Sequence, residues 1–371
     1  MKTIGIIGAS GQVGLEVCLF LATYPDVRVV AIVRAGVSAS LLKRLGIEYR
    51  TGSLGDPEQC RELLKDLDLI VDFSVRLGDV KDTNSYYHNN ITKALAFSKP
   101  DAKYVFISSI NAFGMSERFN KAKHYVIPHS IYAHTKRYGE RLAFQHGRKN
   151  GKDTFVFRLG HVHGPLQRVS TETVKLVNGK YEHFIYPDTP SYTVFCFTIA
   201  EGLYHVVQGK EKPGNYVLIS EPAWSWKEVL EYYVKPGRKI KVELTTARKP
   251  YSLRDFVQGI KGGLFSVLTK YKDTLRANIL HHFPDVENRN KANLYTQRAA
   301  SQIGEYREKT IYRPSGIHEG TFPGKRLSSI SDSRASMAAR TAVVMDRLRA
   351  VFPGYAEEVV GSDVAIERST M

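Results

Sequence analysis

Residues 131–139 read IYAHTKRYG, and within them Tyr132 and Lys136 stand four positions apart. On a helix that spacing puts both side chains on one face, about 5 to 6 Å apart at Cβ, so an ammonium can sit beside a phenol. An unperturbed tyrosine titrates near pH 10, and bringing it to about 7 needs roughly 4 kcal/mol of preferential stabilisation of the phenolate. A phenol so tuned is a general acid or base. By itself the pairing is a weak signal, because the chain has 21 tyrosines and an exposed helical pair is the commoner case. Its position strengthens it. The pair follows the strand-like run YVFISS, whose C-terminal end is where ligands gather in an open α/β sheet, and that end offers Ser108 and Ser109 as donors to a reacting oxygen.

A second constellation lies at the start of the chain. IGIIGASGQVG places Gly8, Gly11 and Gly14 after an apolar strand and at the opening of a helix pattern, where backbone N–H groups can approach a pyrophosphate. Gly8 would allow the tight turn, Gly11 the close approach and Gly14 the packing of helix on strand, with Ser10, Gln12 and Val13 in the same turn. The plainer alternative is a glycine-rich βα turn with no ligand. Dinucleotide binding is favoured because this is the first βα connection and a second strand follows at the expected distance. About 20 residues beyond Gly14, where an NAD site usually carries an acid, the run VRVVAIV ends in Arg34. A cation there suits a 2′-phosphate and favours NADP over NAD, although an arginine lying over the adenine or facing water also fits. Ser53 and Leu54 would border the adenine. With a nicotinamide bound, Tyr132 would exchange a proton with a substrate hydroxyl or carbonyl while hydride moves to or from the cofactor.

The elements that must position these groups alternate along the first half. TIGIIG, VRVVAIV, DLIVDFS, KYVFISS and TFVFRLG have the length and β-branched content of buried strands. Helix patterns lie between them at 12–23, 57–66, 83–98 and 131–148. Strand and helix in alternation imply right-handed crossovers and a parallel sheet covered on both faces, an α/β doubly wound fold of the Rossmann type. We therefore expect a dinucleotide-binding domain over 1–165 and a smaller substrate-binding region over 166–371, partly interleaved with the sheet. In that second region TIAEGLYHVVQG, SWKEVLEYYV and SRASMAARTAVVMDRLRAVF read as helices and NYVLIS as a strand. Residues 250–312 are basic and amphipathic, a helical insertion serving as lid or dimerisation element, or as a patch for an anionic surface.

Composition bounds the function. The chain has 371 residues, 43% of them hydrophobic, enough for a sizeable core, and no apolar run approaches the roughly 20 residues of a membrane span. Its opening residues lack the apolar core of a signal peptide, so a soluble, cytoplasmic protein is expected. Cys18, Cys60 and Cys196 are far apart and without metal-ligand spacing, so they read as reduced and structural. Adjacent His281 and His282 point apart on a helix, and no metal is expected. A net charge of +16 makes an anionic partner natural, and the absence of any RNA-recognition motif argues against nucleic acid.

Taken together, GASGQVG, ISSINAFG, YAHTK and RLGHVHGP, in this order and spacing, resemble the extended short-chain dehydrogenase/reductases of the NAD-dependent epimerase/dehydratase family. The resemblance covers about residues 1 to 235. It implies Tyr132 as catalytic acid/base, Lys136 as the residue that binds the nicotinamide ribose and lowers the tyrosine pKa, and Ser109 as the holder of the substrate oxygen. Asn90, in YYHNNITKA, matches the helix asparagine that supports the active site through water. The usual alanine pair after the fourth strand is Ser74 and Val75 here, with Ser74 against the cofactor, and Asn111, His161 and His163 fall on the substrate side. Ser109 is followed by Ile110 and Asn111 rather than an Asp-Glu pair, which argues against a 4,6-dehydratase.

The expected function is an NAD(P)-dependent epimerase or reductase of a nucleotide-linked sugar, working as a homodimer. Two alternatives stand beside it: an NADPH-dependent reductase of a non-nucleotide ketone or aldehyde, and a non-catalytic dinucleotide-fold protein that binds RNA or senses redox state. The latter would not require Ser109, Tyr132 and Lys136 together.

Overall fold

In the computed structural model of the chain, residues 1–34, 37–76, 80–112, 131–188, 190–220, 223–245, 325–326 and 334–351 are described. The strands are β1 (Lys2–Ile7), β2 (Val27–Val33), β3 (Glu48–Thr51), β4 (Leu69–Asp72), β5 (Lys103–Ser109), β6 (Thr154–Leu159), β7 (His161–His163), β8 (His183–Pro187), β9 (Thr193–Phe195), β10 (Gly214–Leu218), β11 (Lys241–Thr245) and β12 (Lys325–Arg326). The helices are α1 (Gln12–Leu21), α2 (Val37–Arg44), α3 (Pro57–Leu64), α4 (Val80–Phe97), α5 (Ile131–Lys149), α6 (Arg168–Val177), α7 (Cys196–Val207), α8 (Trp226–Tyr232) and α9 (Arg334–Val351).

Strands β10, β6, β5, β4, β1, β2 and β3 form, in that order, a parallel sheet, and the two-residue β12 extends it beside β10. Alternation along each strand feeds two cores. Val29, Ala31, Val105, Ile107, Phe155 and Phe157 face the side covered by α1, α7 and α9, where Val17, Leu203 and Met345 meet them. Val30, Ile32, Tyr104, Phe106 and Val156 face the side covered by α3, α4 and α5, against Leu63, Ile91 and Leu142. Burial on both faces explains why these strands read as continuous apolar runs.

Local chemistry sets the helix starts. Asp56 caps α3 by accepting from the Gln59 N–H at 2.8 Å, with Pro57 pre-set at the first position. Ser225 and Glu228 form a reciprocal capping box on α8. Helix α5 lies against the sheet because Gly139 lacks a side chain: a Cβ there would stand 2.3 Å from the Phe106 ring.

Beyond residue 165 the chain leaves the sheet and returns to it. Helix α7 packs on α1, β10 pairs with β6, and β12 and α9 come back from much later in the sequence. Between these returns two small pairs form, β7 with β9 and β8 with β11, both parallel. The helical insertion expected over 250–312, with its proposed surface-docking face and His281–His282, lies outside the described residues. No described helix is long and apolar enough to cross a membrane.

Candidate active site

The order of the sheet reverses between β1 and β4, so a crevice opens beyond their C-terminal ends, where open α/β sheets bind ligands. Gly8 leaves β1 with φ +78°, and a Cβ there would stand 3.0 Å from the backbone of Phe73 and Ser74, which leave β4. A Cβ on Gly14 would stand 2.6 Å from the Gly8 carbonyl oxygen. Gly11 donates its N–H to that same oxygen at 2.9 Å and then caps α1 without any side-chain bond. Ser10, Gly11 and Gln12 are exposed and Val13 is half-buried. The N–H groups of the first helical turn, at the positive end of α1, thus face outward with no Cβ in the way, a fit for the pyrophosphate of a dinucleotide.

Other residues expected at the cofactor surround this turn. Arg34 is exposed directly after β2, and its charge acts on the phenol of Tyr86. Ser53 is pinned by its N–H to Gln59 Oε1, 2.9 Å, and accepts from the Gly55 N–H; Leu54 is buried beside it. Ser74 is buried, with its N–H on Asp72 Oδ1 at 2.8 Å and its carbonyl accepting from the Tyr87 hydroxyl at 3.1 Å.

Tyr132 sits in the first turn of α5, half-buried, with its phenol beside the Ser109 side chain at the end of β5. Burial raises the phenol above its ordinary pKa and the Ser109 contact opposes the rise. Lys136, one turn on, is buried and donates to the Ile107 carbonyl at 2.8 Å. Its ammonium lies 5.1, 5.8 and 5.9 Å from the ring centres of Phe106, Tyr87 and Tyr132, within cation–π range. Burial pulls this ammonium down to about 8, and the charges of Asp72 and Glu140 act against the fall. Asn111 directs its N–H to Ser109 Oγ at 3.2 Å, and Asn90, buried on α4, lies near the Tyr86 phenol.

One expectation from the sequence is corrected here. Ser108 does not join Ser109 at the reacting side: successive strand residues face opposite ways, and Ser108 donates to Glu140 Oε1 at 2.6 Å, beneath α5. His134 and Thr135, between Tyr132 and Lys136, are both buried, and Thr135 Oγ1 donates to the Tyr132 carbonyl at 2.9 Å.

The two histidines of RLGHVHGP part company. His161, half-buried at the start of β7, lies 6.0 Å from the Trp226 ring, and its Nε2 has no hydrogen-bond partner among the described residues. His163 is buried, stacked on Tyr233, with Nδ1 3.0 Å from the Tyr233 hydroxyl and 3.3 Å from Ser170 Oγ. Burial takes its pKa down to about 3, so the ring is neutral.

Sequence reasoning missed the charged groups beneath the site. Arg158 and Glu140 form a buried ion pair behind α5, and Asp72 is fully buried at the end of β4, accepting from the Tyr104 hydroxyl at 3.0 Å. The available signal was a charge inside or closing an apolar strand, in TFVFRLG and LIVD. Cys18, Cys60 and Cys196 are free and buried, and no described cluster of His, Cys, Asp or Glu could hold a metal.

Comparison with known proteins follows the same outline. The model of the NAD dependent epimerase/dehydratase family matches residues 4–185. UDP-glucuronate 4-epimerase 4 of Arabidopsis thaliana is 27% identical over 189 residues, 45% of this chain and 43% of that protein. The chain thus matches less than half the length of that curated relative. Among solved structures, the Helicobacter pylori ADP-L-glycero-D-manno-heptose-6-epimerase superposes with a TM-score of 0.52 at 17% identity, covering 66% of this chain and 84% of that one. UDP-N-acetylglucosamine 4-epimerase from Bacillus cereus gives 0.51 at 15% identity, covering 66% and 85%. The UDP-glucuronic acid 4-epimerase of Bacillus cereus, solved with NAD, gives 0.50 at 18%, covering 66% and 87%. These likenesses show the fold; the likeness to the family rests on the sequence match. Over residues 4–185, just under half its length, the chain is similar to the NAD dependent epimerase/dehydratase family.

Proposed function

We propose that the chain is an NAD(P)-dependent enzyme acting by hydride transfer on a nucleotide-linked sugar, as a 4-epimerase or a keto-sugar reductase. The observation that carries this reading is the proximity of the Tyr132 phenol to Ser109, one helical turn from Lys136, at the ligand-gathering end of β5. The names of the relatives, epimerases of UDP- and ADP-linked sugars, support the substrate class. The net charge of +16 suits a diphosphate.

In this reading the loop from Gly8 to Gly14 holds the pyrophosphate on its backbone N–H groups and Arg34 meets the adenosine ribose, with a preference for a 2′-phosphate and so for NADP. When bound, the nicotinamide supplies a hydride acceptor and a positive charge beside the phenol. Ser109 holds the substrate oxygen, and Tyr132 takes or gives its proton. Lys136 holds the nicotinamide ribose, and Asn90 supports the site through water. Asn111 and the free Nε2 of His161 face the substrate, whereas His163 belongs to the core through Tyr233 and Ser170. Burial alone keeps the Tyr132 proton on, so loss of that proton depends on positive charge arriving with the cofactor. Assembly as a homodimer completes the reading; a light-scattering mass near 41.8 kDa would remove it.

The test is Tyr132→Phe, assayed with UDP-sugars and their 4-keto forms in the presence of NAD and of NADP(H). Turnover should fall by about 100-fold or more while cofactor affinity stays nearly unchanged. Retained turnover would overturn the role of Tyr132.

A further inference from the structure

Two buried carboxylates bear on Lys136, and only one of them has its charge to spare. Glu140 accepts two hydrogen bonds from the Arg158 guanidinium, at 2.6 and 3.0 Å, so its charge is already balanced. Asp72 is also buried, but its hydrogen-bond partners among the described residues are neutral: the Ser74 N–H on Oδ1 and the Tyr104 hydroxyl on Oδ2. An isolated carboxylate in such surroundings is costly, and so is an isolated ammonium. Each makes the other's charge cheaper to keep. The register places them as neighbours: Asp72 pairs across the sheet with Phe106, and Lys136 is bonded to the carbonyl of the next residue, Ile107.

We propose that Asp72 is a positioning residue, holding Lys136 charged and turned inward for the proton exchange at Tyr132, and tying that charge to the turn of β4 that borders the cofactor. The tie runs through Ser74, whose N–H is on Asp72, whose carbonyl takes the Tyr87 hydroxyl, and whose backbone faces Gly8. The charge on Lys136 and the shape of the dinucleotide crevice are therefore set by one side chain. The inference rests on the reading of Tyr132 as acid/base given above.

The other ionisable groups around this pair have been assigned. From α5 itself come Tyr132 and Glu140, the latter satisfied by Arg158 of β6. From α4 come Tyr86 and Tyr87, from β5 Tyr104, all phenols raised above their ordinary pKa by burial and by the Asp72 charge. They remain neutral at working pH. The charge of Arg34, exposed after β2, acts on the Tyr86 phenol and opposes its rise. Burial likewise raises the Asp72 carboxyl, and the Lys136 charge counters that rise.

The experiment compares wild type with Asp72→Asn, which removes the charge at nearly constant shape. Lys136 is followed by NMR of protein labelled in its lysine side chains, its signal assigned by its loss in Lys136→Arg. In Asp72→Asn the Lys136 titration midpoint should fall by about one pH unit or more. In the turnover profile, the limb that reports loss of the Tyr132 proton should move to higher pH, with kcat at neutral pH down about tenfold and KM little changed. An unmoved Lys136 midpoint in the folded variant overturns the proposal. If Asp72→Asn does not fold, Asp72→Leu keeps the same branching in a bulkier side chain, demands no partner, and is read by the same midpoint. Because the NMR readout needs no turnover, the two readings fail separately. A fallen midpoint in a protein without turnover would uphold the coupling and remove the enzymatic reading.

Discussion

Arg158 grips Glu140 from behind the active-site helix, Nη2 to Oε2 at 2.6 Å and Nε to Oε1 at 3.0 Å, with both side chains buried. Oε1 also accepts from Ser108 at 2.6 Å. Glu140 lies one turn beyond Lys136 on α5, so this pair sets the height of the helix above β5 and β6 and with it the reach of Tyr132 towards Ser109. Removing one partner leaves the other charged and buried, which costs about 3 to 5 kcal/mol. Arg158→Met should therefore lower the stability to unfolding by that order, measured in urea, and should reduce turnover even below the melting transition. A variant as stable as wild type would mean that the pair is dispensable to the helix.

The glycine turn makes a sharper demand. Gly14→Ala would push a methyl to 2.6 Å from the Gly8 carbonyl, inside the turn that must present its N–H groups to the pyrophosphate. At Gly8 the demand is on the backbone, since φ +78° costs an L-residue about 1 to 2 kcal/mol even before the clash with Phe73 and Ser74. Gly14→Ala should weaken NAD(P) binding at least tenfold in a fluorescence titration. Gly11→Ala should do less, because a Cβ there meets only the Gly8 oxygen at 3.3 Å. Equal losses at the two positions would contradict this account of the turn.

These contrasts show what was legible in the sequence. Runs such as VRVVAIV and KYVFISS announce strands buried on both faces, because their composition records an environment that is local to the strand. The glycine spacing announces the turn, and the four-residue step from Tyr132 to Lys136 announces a shared helical face. What could not be read were meanings fixed by distant partners. Arg158 looks like a stray charge in TFVFRLG until Glu140 is set beside it. Asp72 looks like a strand end until its burial and its Tyr104 and Ser74 contacts are known. The alternation that sends Ser109 to Tyr132 and Ser108 to Glu140 needs the strand register, which the dipeptide SS does not state.

Arg34 offers a test on the opposite wall of the crevice. It stands exposed directly after β2, where a ribose would lie if the glycine turn holds the pyrophosphate. Arg34→Asp would replace a cation suited to a 2′-phosphate with an acid suited to a 2′-hydroxyl. Affinity for NADP should fall at least tenfold, and affinity for NAD should hold or improve, in paired titrations at one ionic strength. Equal loss of both would mean that Arg34 does not read the phosphate.

Glu16 predicts a dependence of stability on pH. It is buried in α1, where Oε2 accepts from the Leu166 N–H at 2.9 Å and from Gln167 Nε2 at 2.8 Å, while the Cys196 thiol lies against the carboxyl. Desolvation outweighs these bonds and raises its pKa from 4.5 to about 7. Below the unfolded value of 4.5 the carboxyl holds its proton in both states, and its contribution is fully present. As pH rises from 4.5 to the folded value of about 7, the folded protein keeps a proton that the unfolded chain has already released, so stability falls over that window and is lost once the folded value is passed. The loss is on the order of 3 kcal/mol once the folded carboxyl is ionised. Urea unfolding at pH 5, 6, 7 and 8 should show this decline, and Glu16→Gln, which cannot ionise, should flatten it. A slope that survives in Glu16→Gln would assign the titration to another group and leave Glu16 charged beneath Gly164.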